Sequence, residues 1–306
     1  MDLLLSSISQ GLLWSIMAIG VYLTFRILDV ADLTAEGSFP LGAAISTSLI
    51  LNGVAPWISI LAALFGGMIA GFISGFLYTK WNIPALLSGI ITMTGLYTIN
   101  LRIMGQANVS LLGKDTVIRT IQAFGLSKTN AVLIVGGLAV GLVILILHLF
   151  FQTEIGLAIR STGDNNEMSE ANGIRTNVMK VIAYMLGNGL ISLSGALLAQ
   201  NNSYADISMG IGTIVIGLAS IIIGEVMFRN LTLAKRLITI VIGSIIYRLL
   251  IQIVLGFNVL GFNVNPQDLK LFTAILLALA LRLPAIQEKV SKRFPRKHIA
   301  ESKEMK

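Results

Sequence analysis

The sequence predicts an all-α integral membrane protein, a polytopic bundle of about nine to ten transmembrane helices. Only 12% of the residues are charged, against about 25% in ordinary soluble domains, and the mean hydropathy is +0.84. Runs of roughly 20 apolar residues, long enough to cross the hydrocarbon core as helices, follow one another along the chain. They are continuous rather than alternating, which excludes a membrane β-barrel. The chain has no cysteine, which excludes disulfides and thiolate sites.

Nine segments are predicted to cross the membrane and to form one membrane domain over residues 1–286. The first follows an N-terminus with neither a basic flank nor a cleavage site, so a retained helix is expected rather than a signal peptide. Residues 287–306 form a basic tail. In chain order the predicted spans are 3–26, 38–51, 57–79, 85–105, 131–152, 177–199, 209–228, 237–256 and 269–286.

The segment that leads into the second span is polar. ADLTAEGSFPLGAAIS, residues 31–46, places Asp32, Glu36 and Pro40 before an apolar run that is too short to span the membrane alone. A discontinuous or re-entrant helix is expected, since Gly- and Pro-interrupted segments at corresponding places in two halves of a chain mark transport pathways. Helix capping and packing between repeats are the favoured roles of Asp32 and Glu36, and gating is the second.

A later segment, ADISMGIGTIVIGLASI at residues 205–221, echoes the first. With one extra residue in the later segment, the aligned pairs are Asp32 with Asp206, Gly42 with Gly217 and Ala44 with Ala219. The two segments enter the membrane from opposite sides in the topology derived below. The sequence therefore predicts an inverted repeat, with a chance match between apolar sequences as the alternative.

Glycines at four-residue spacing predict close helix packing. In the third span Gly67, Gly71 and Gly75 lie on one helix face, and in the fifth span Gly137 and Gly141 share a face. Packing within the chain is the favoured interpretation, and a dimer interface is the alternative.

Polar side chains within the spans are candidates for the lining of a transport pathway. The fourth span carries Thr94, Thr98 and Arg102 at four-residue spacing, and such a stripe is expected to face a cavity or another helix. Interhelical hydrogen bonding explains these residues equally well. The other candidates are Tyr97 and Asn100 in the same span and Asn188 and Ser192 in the sixth.

An ionisable residue within a span costs about 2.5–3.5 kcal/mol and needs a partner or a function. Glu225 is expected to pair with Arg229 one turn later, and a role as an inner gate is the alternative. Arg248 lies nearer mid-membrane, where pairing within the bundle and a role in the pathway are equally supported. His148 and His298 are the only histidines, so no metal site is predicted.

The distribution of the net charge of +7 predicts the orientation. Lys and Arg are concentrated from Arg282 onward, which places the C-terminus in the cytosol by the positive-inside rule. The loops with Lys80, with Arg160 and with Arg236 then also lie in the cytosol, and residues 106–130 lie outside. The charge thus concerns topology, and no nucleic-acid partner is predicted.

One cytosolic segment, TEIGLAIRSTGDNNEMSEANGIRTN at residues 153–177, is polar and carries both positive and negative charges. Asp164 is expected to cap a short helix, Glu167 to complete a capping box, and Gly173 to end the helix. Met168 then lies on a small amphipathic surface suited to a partner's groove. A solvated connecting loop is the alternative.

This segment resembles the cytoplasmic coupling segment of ATP-binding-cassette (ABC) importer permeases of the branched-chain amino acid and monosaccharide type. The matching positions are Gly156, Arg160, Asn165, Asn166, Ala171, Gly173 and Ile174. The resemblance extends through DLTAEGSFPLGAA and GLASIIIGE, over about residues 6–285, and implies a type II-like importer fold. It also implies contact between residues 153–176 and an ATPase subunit, through Gly156, Arg160, Asp164, Glu167, Met168, Glu170, Ala171, Gly173 and Ile174.

The resemblance further implies the partners of such a permease subunit. These are cytosolic ABC ATPase subunits, an extracytoplasmic substrate-binding protein and a second copy of the chain, in a bacterial cytoplasmic membrane. The chain has no GxxxxGK[ST] motif. We therefore expect it to bind no cofactor and to be no enzyme itself, with ATP and Mg²⁺ held by the partner ATPase.

Two departures from the family pattern bear on the substrate. Gly224-Glu225 stands where many members have Gly-Gly, and DLTAEGSF replaces the Asn-Phe-Ala-type sequence of branched-chain amino acid permeases. Both variants resemble a branch linked with tryptophan or tyrosine uptake, so aromatic amino acids are favoured. The alternatives are a permease for branched-chain amino acids, nucleosides or sugars, and an ion-coupled secondary transporter with Glu225 or Glu36 as its ion site.

Overall fold

The computed structural model describes residues 2–228 and 231–256. Over these ranges the chain is almost entirely helical, as predicted. The α-helices are α1 (Asp2–Tyr22), α2 (Ala35–Leu51), α3 (Pro56–Lys80), α4 (Ala85–Met104), α5 (Val117–Gln122), α6 (Lys128–Phe150), α7 (Glu154–Asp164), α8 (Asn166–Ala171), α9 (Thr176–Asn202), α10 (Thr213–Met227) and α11 (Leu233–Gly256). A π-helical turn (Leu23–Ile27) extends α1, a 3-10 turn (Ile207–Gly210) precedes α10, and two short strands are β1 (Asn108–Ser110) and β2 (Tyr204–Asp206).

Seven helices among the described residues are long and apolar enough to cross a membrane. The predicted span 269–286 and the tail 287–306 lie outside those residues, and the other eight predicted spans each correspond to a helix. Seven of these eight helices are the long apolar ones. The remaining helix is α2, which has only 17 residues and is separated from the end of α1 at Ile27 by a non-helical connection. α2 is short, as expected, but it continues without interruption through Pro40, so the expected break within the second span is wrong and a re-entrant course stays a prediction.

The long helix α9 lies at the centre of the bundle, and α3 packs along it. A Cβ added at Gly67 or Gly71 would collide with the backbone carbonyl of Asn188 or Tyr184 on α9. Gly75 approaches the same helix one turn further on. The glycine face of the third span therefore packs within the chain, as favoured from the sequence.

The glycines of the fifth predicted span behave differently. No described atom lies within 4 Å of a Cβ built at Gly137 or Gly141 of α6, so the favoured packing within the chain is wrong at these positions, and the alternative of a dimer interface stays a prediction. The close approach is made instead by Gly136, against Leu12 of α1. Four-residue spacing occurs on every face of a glycine-rich helix, and only the neighbouring helix determines which face is used.

The packing of α2 and α10 matches the predicted relation between two halves. Gly42 of α2 fits against the backbone of Ser192 on α9, whereas Gly217 of α10 lies against Met17 and Val21 of α1. In the same way, α11 packs on α1 as α3 packs on α9. Each half thus lays its short helix and the helix that follows it against the first helix of the other half, as expected for the predicted repeat.

The two ends of the bundle differ in structure. β1 pairs with β2 in an antiparallel ladder that places Val109 opposite Ala205. Both strands belong to segments predicted to lie on one side of the membrane. α9 begins after α8 and ends before β2, so α7 and α8 lie at the opposite end. Exposed apolar side chains such as Phe65 and Leu138 cover the flanks between the two ends, as expected for contact with lipid.

Candidate functional site

Residues 153–176 form two helices where the sequence predicted one. Asn165 adopts an extended conformation between them, and its Oδ1 accepts a hydrogen bond from the backbone N–H of Met168 at 2.9 Å. Asp164 is the last residue of α7, so the expected cap at Asp164 and its capping box with Glu167 are wrong. The physical reason is that α7 continues helical through Asp164, and an N-cap residue must lie outside the preceding helix.

Gly173 ends α8, as predicted. It has a φ of +81°, a conformation that favours glycine. Its N–H donates to the carbonyl of Glu170 at 2.9 Å, and the N–H of Ile174 donates to that of Ser169 at 3.0 Å. These two bonds form a Schellman motif. A short helix is therefore closed at both ends, and the alternative of a solvated loop is wrong.

Side-chain hydrogen bonds fasten α8 to its neighbours. The hydroxyls of Ser161 on α7 and Ser169 on α8 are 2.8 Å apart, and Thr176 at the start of α9 donates to Glu170 at 2.6 Å. Met168 is left 63% exposed. The role of the two serines was missed from the sequence, because their pairing depends on the turn at Asn165.

α7 packs closely against the π-helical end of α1. A Cβ at Gly163 would collide with the backbone carbonyl of Ile27, and one at Gly156 would collide with the end of α6 at Phe150. Of the residues expected to contact an ATPase, Gly156 is therefore buried inside the bundle. Arg160 and Asp164 line a cavity of about 150 Å³, while Glu167, Met168, Glu170 and Ala171 are exposed.

An ion pair joins α1 to α10 at the same end of the bundle. Nε of Arg26, in the π-helical turn, lies 3.0 Å from Oε1 of Glu225 in the last turn of α10. The partner expected from the sequence, Arg229, lies outside the described residues. The pair with Arg26 could not be found by helical spacing, since the two residues are 199 positions apart.

A second cavity, of about 400 Å³, opens between α2, α4 and the 3-10 turn before α10. Four of the predicted pathway residues line it, namely Glu36, Thr94, Tyr97 and Asn100. Thr98, one turn further along α4, is exposed but is not part of the lining. The polar stripe of the fourth span is thus divided between a cavity wall and the outer surface.

Hydrogen bonds join the parts of the chain around this cavity. Oε1 of Glu36 accepts from the backbone N–H of Gly212, just before α10, at 3.0 Å. Nδ2 of Asn100 donates to the backbone carbonyl of Gly37 at 3.1 Å. Glu36 therefore connects the first turn of α2 with the N-terminus of α10, a contact between the two predicted repeats.

The polar candidates on α9 hold helices together. Asn188 donates to Oδ2 of Asp32 at 2.7 Å and accepts from Ser38 at 2.7 Å. Ser192 donates to the carbonyl of Ala63 on α3 at 2.6 Å. These contacts match the interhelical hydrogen bonding that the sequence left open as an alternative, and neither residue lines the 400 Å³ cavity.

Arg248 and Asp206 also make contacts within the bundle. The guanidinium of Arg248 lies over the ring of Trp14, 4.1 Å from its centroid, in a cation–π arrangement. Asp206 accepts hydrogen bonds from the backbone N–H of Ser208 at 2.7 Å and from Asn108 at 3.0 Å. Partial burial raises the pKa of Asp206, but the hydrogen bonds outweigh it and hold that pKa below its ordinary value.

Comparison with known proteins gives consistent matches over most of the chain. A family described as branched-chain amino acid transport system / permease component matches residues 3–281. The tyrosine transport system permease protein of Clostridioides difficile is 39% identical over 281 residues, which are 90% of this chain and 88% of that protein. An uncharacterized protein of Rickettsia prowazekii is 30% identical over 92% of this chain and 97% of its own length.

More distant matches extend the comparison. The autoinducer 2 import system permease protein LsrC of Yersinia pseudotuberculosis is 29% identical over 69% of this chain and 58% of its own length. Among solved structures, PsaBC from Streptococcus pneumoniae in complex with Fab gives a TM-score of 0.50 at 15% identity, over 91% of this chain and 89% of that one. At that identity the likeness concerns the fold alone.

Proposed function

The chain belongs to the family of branched-chain amino acid transport system permease components, and from this premise we propose that it is the membrane-spanning subunit of an ATP-driven importer for aromatic amino acids. Cytosolic ATPase subunits bind ATP and Mg²⁺, an external binding protein delivers the substrate, and two copies of the chain surround the pathway. The membrane is the bacterial cytoplasmic membrane, with the C-terminus in the cytosol. The name of the relative at 39% identity, a tyrosine transport system permease, supports the substrate class.

One observation carries the coupling role, namely that α8 is a firmly held projection with an exposed apolar side chain. Helices this short are marginal in water and need support from packing. The cap at Asn165 and the bonds of Ser169 and Glu170 supply that support. Met168 remains 63% exposed, and an unbranched, adaptable methionine is well suited to a groove on a partner.

The contacts of α7 suggest how a movement of α8 reaches the membrane. The backbone of Gly163 is packed against Ile27 in the π-helical turn of α1, and such turns are frequent at functional positions. Arg26 in the same turn pairs with Glu225 of α10. Closure of the ATPase pair would then shift α7, the end of α1 and α10 together, in a rigid-body switch of the pathway.

The test replaces Met168 by Asp in the full complex, purified from its membrane in mild detergent. A charge at the side chain proposed to enter the ATPase should prevent the ATPase from co-purifying and abolish ATP-driven tyrosine uptake in vesicles, with normal amounts of the chain in the membrane. Phe124→Asp is the matched control, since Phe124 is 83% exposed at the opposite end of the bundle. It should retain the ATPase.

The same preparations decide the competing functions. A Met168→Asp complex with a normally bound ATPase and normal uptake would overturn the coupling role of α8. Transport by the purified chain alone, driven by an ion gradient, would replace the importer with a secondary transporter. Competition by leucine, a nucleoside or a sugar, with none by tyrosine or tryptophan, would change the substrate class.

A further inference from the structure

The 400 Å³ cavity extends from the middle of α4 to the 3-10 turn that follows β2. Thr94 is near the middle of α4, and Glu36 lies in the first turn of α2 after the break in the chain. Small-molecule sites in proteins measure about 300–1,000 Å³. The cavity therefore has the size and the position of a site on a transport pathway.

A buried acceptor in the cavity wall has no partner. Asn100 is 0% exposed, and its Nδ2 is used by the carbonyl of Gly37. Its Oδ1 makes no hydrogen bond to any of the residues that the structure describes. Most buried polar atoms in proteins are hydrogen-bonded, so an unpaired oxygen in a cavity wall indicates a group that a ligand satisfies.

Glu36 supplies further acceptors to the same cavity. Its hydrogen bond from Gly212 engages one carboxylate oxygen, and a carboxylate can accept several such bonds. The backbone carbonyl of Glu36 also lacks the usual i+4 donor, because residue 40 is proline and has no N–H. It packs against Gly210, however, so the carboxylate is the acceptor that Glu36 offers to the cavity. The acceptors of Glu36 and Asn100 together call for a ligand group with several N–H donors and a positive charge, as in an ammonium.

The remaining walls are mainly apolar, with the hydroxyl-bearing residues Thr94 and Ser208 among them. Met93, Ile207 and Ile211 line the cavity, and the ring of Tyr97 is 57% exposed beside them. An aromatic ring offers a face to another ring or to a cation. The cavity therefore suits an amphipathic ligand with a cationic group at one end and an apolar body at the other.

We propose that this cavity binds the ammonium group of an amphipathic amine through the carboxylate of Glu36 and the amide oxygen of Asn100. The site makes the membrane subunit itself selective for amines, beyond the selection made by an external binding protein. This inference rests on the proposed function, since the amine that would bind in the cavity is the amino acid that the importer transports. The competing explanation gives Glu36 only the structural task of holding Gly212.

The test uses cysteine protection, for which the chain is suited because it has no native cysteine. Thr94→Cys places a thiol in the cavity wall, and it removes only a hydrogen bond to the carbonyl of Ile90 in the same helix. Thr98→Cys is the matched control, one turn away and outside the lining. Both are labelled with a maleimide in the reconstituted full complex, with L-tyrosine, tyramine or 4-hydroxyphenylpropionate added at millimolar concentration.

L-Tyrosine and tyramine carry an ammonium, and 4-hydroxyphenylpropionate does not. We expect the first two to slow labelling at position 94 and the third to leave it unchanged, with no effect of any of them at position 98. Equal protection by all three compounds, or no protection by tyramine, overturns the proposal.

Substitutions of Glu36 in the Thr94→Cys chain separate charge from structure. The amide oxygen of Glu36→Gln can still accept from Gly212, so the local structure is kept while the charge is lost. Half-protection by tyramine should then require about tenfold more ligand, as expected for the loss of one charge-assisted hydrogen bond, and Glu36→Asp should retain the preference for amines. Unchanged protection in Glu36→Gln overturns the proposal, and if that variant fails to fold, the comparison of the three compounds still decides.

ATP-driven uptake, measured in the same vesicles, separates this inference from the proposed function. Amine-selective protection without ATP-driven uptake would support the amine site and contradict the proposed importer. Normal ATP-driven uptake without amine-selective protection would support the importer and contradict the amine site.

Discussion

The segments that lead into α2 and α10 use the same side chains in two different surroundings. Asp32 and Asp206 each accept a hydrogen bond from the backbone N–H two residues ahead. Each also receives the amide of an asparagine, Asn188 in the first case and Asn108 in the second. Asp32 is only 7% exposed inside the bundle, whereas Asp206 is partly exposed beside the short sheet.

The difference shows what a repeated sequence pattern determines and what it does not. An aspartate before a helix can form the same local turn in either place, because that turn needs only its own backbone. The energetic weight of the turn depends on whether water can replace the lost partner. The two halves should therefore respond unequally to the same substitution.

The largest difference is expected between Gly42→Ala and Gly217→Ala. A Cβ at position 42 would collide with the backbone of Ser192, which cannot move without α9. A Cβ at position 217 would lie 3.1–3.2 Å from side-chain atoms of Val21 and Met17, which can adjust. We expect Gly42→Ala to lower the free energy of unfolding by about 3 kcal/mol or more and Gly217→Ala by under about 1 kcal/mol.

Thermal unfolding in detergent, followed by tryptophan fluorescence, measures both variants. Equal shifts of the midpoint would show that α2 and α10 are packed alike, contrary to the structure.

The second comparison replaces each aspartate by alanine. Asp32→Ala leaves the amide of Asn188 and the N–H of Thr34 without an acceptor in a buried place, at a cost of about 2–3 kcal/mol. Asp206→Ala should cost under about 1 kcal/mol, since water can reach the exposed donors. Asp32→Asn is a suitable intermediate, because it retains one acceptor oxygen. A loss at position 206 as large as that at position 32 would contradict the role of burial.

A smaller effect on stability is expected at the C-terminal end of α10, where Glu225 pairs with Arg26. Glu225→Gln removes the ion pair with Arg26, whose side chain is 51% exposed, and exposed pairs contribute only about 0.2–1 kcal/mol. We therefore expect a small change in unfolding that disappears in high salt, together with a clear loss of ATP-driven uptake if the pair transmits movement from α7. Unchanged uptake would reduce Arg26–Glu225 to a surface contact.

Much of the bundle could be predicted because its cues are local. Apolar runs locate the spans, and the acidic residues before the second apolar run indicate that this span is short, although Pro40 does not break its helix. The cavity was anticipated only in part. Tyr97 and Asn100, predicted on α4 as pathway residues, do line it, but the opposite wall, at Ile207 and Ile211, comes from a segment distant in sequence. The periodicity of a helix or strand relates residues within one element and cannot predict that these separate elements meet.

The errors have related causes. Asp164 and Asn165 are both good N-caps, and the length of α7 decided between them. The pairing of β1 with β2 and of Arg26 with Glu225 depends on which helix ends meet in three dimensions, and this information is absent from spacing along the chain.

The smallest expected effect is the pH dependence that Asp206 contributes at the β1–β2 end of the bundle, and acid titration measures it. Burial raises the pKa of this carboxyl, but the hydrogen bonds from Ser208 and Asn108 lower it more, so its pKa in the folded chain lies below the ordinary value of 3.8. The ionised form therefore stabilises the β1–β2 end of the bundle above that pH. This contribution is lost as the pH falls from about 3.8 through the lower folded value. Hydrogen exchange at Val109 and Ala205, corrected for intrinsic rates, should show an added acid-dependent step that Asp206→Asn removes, and persistence of the step in that variant would assign it to another group.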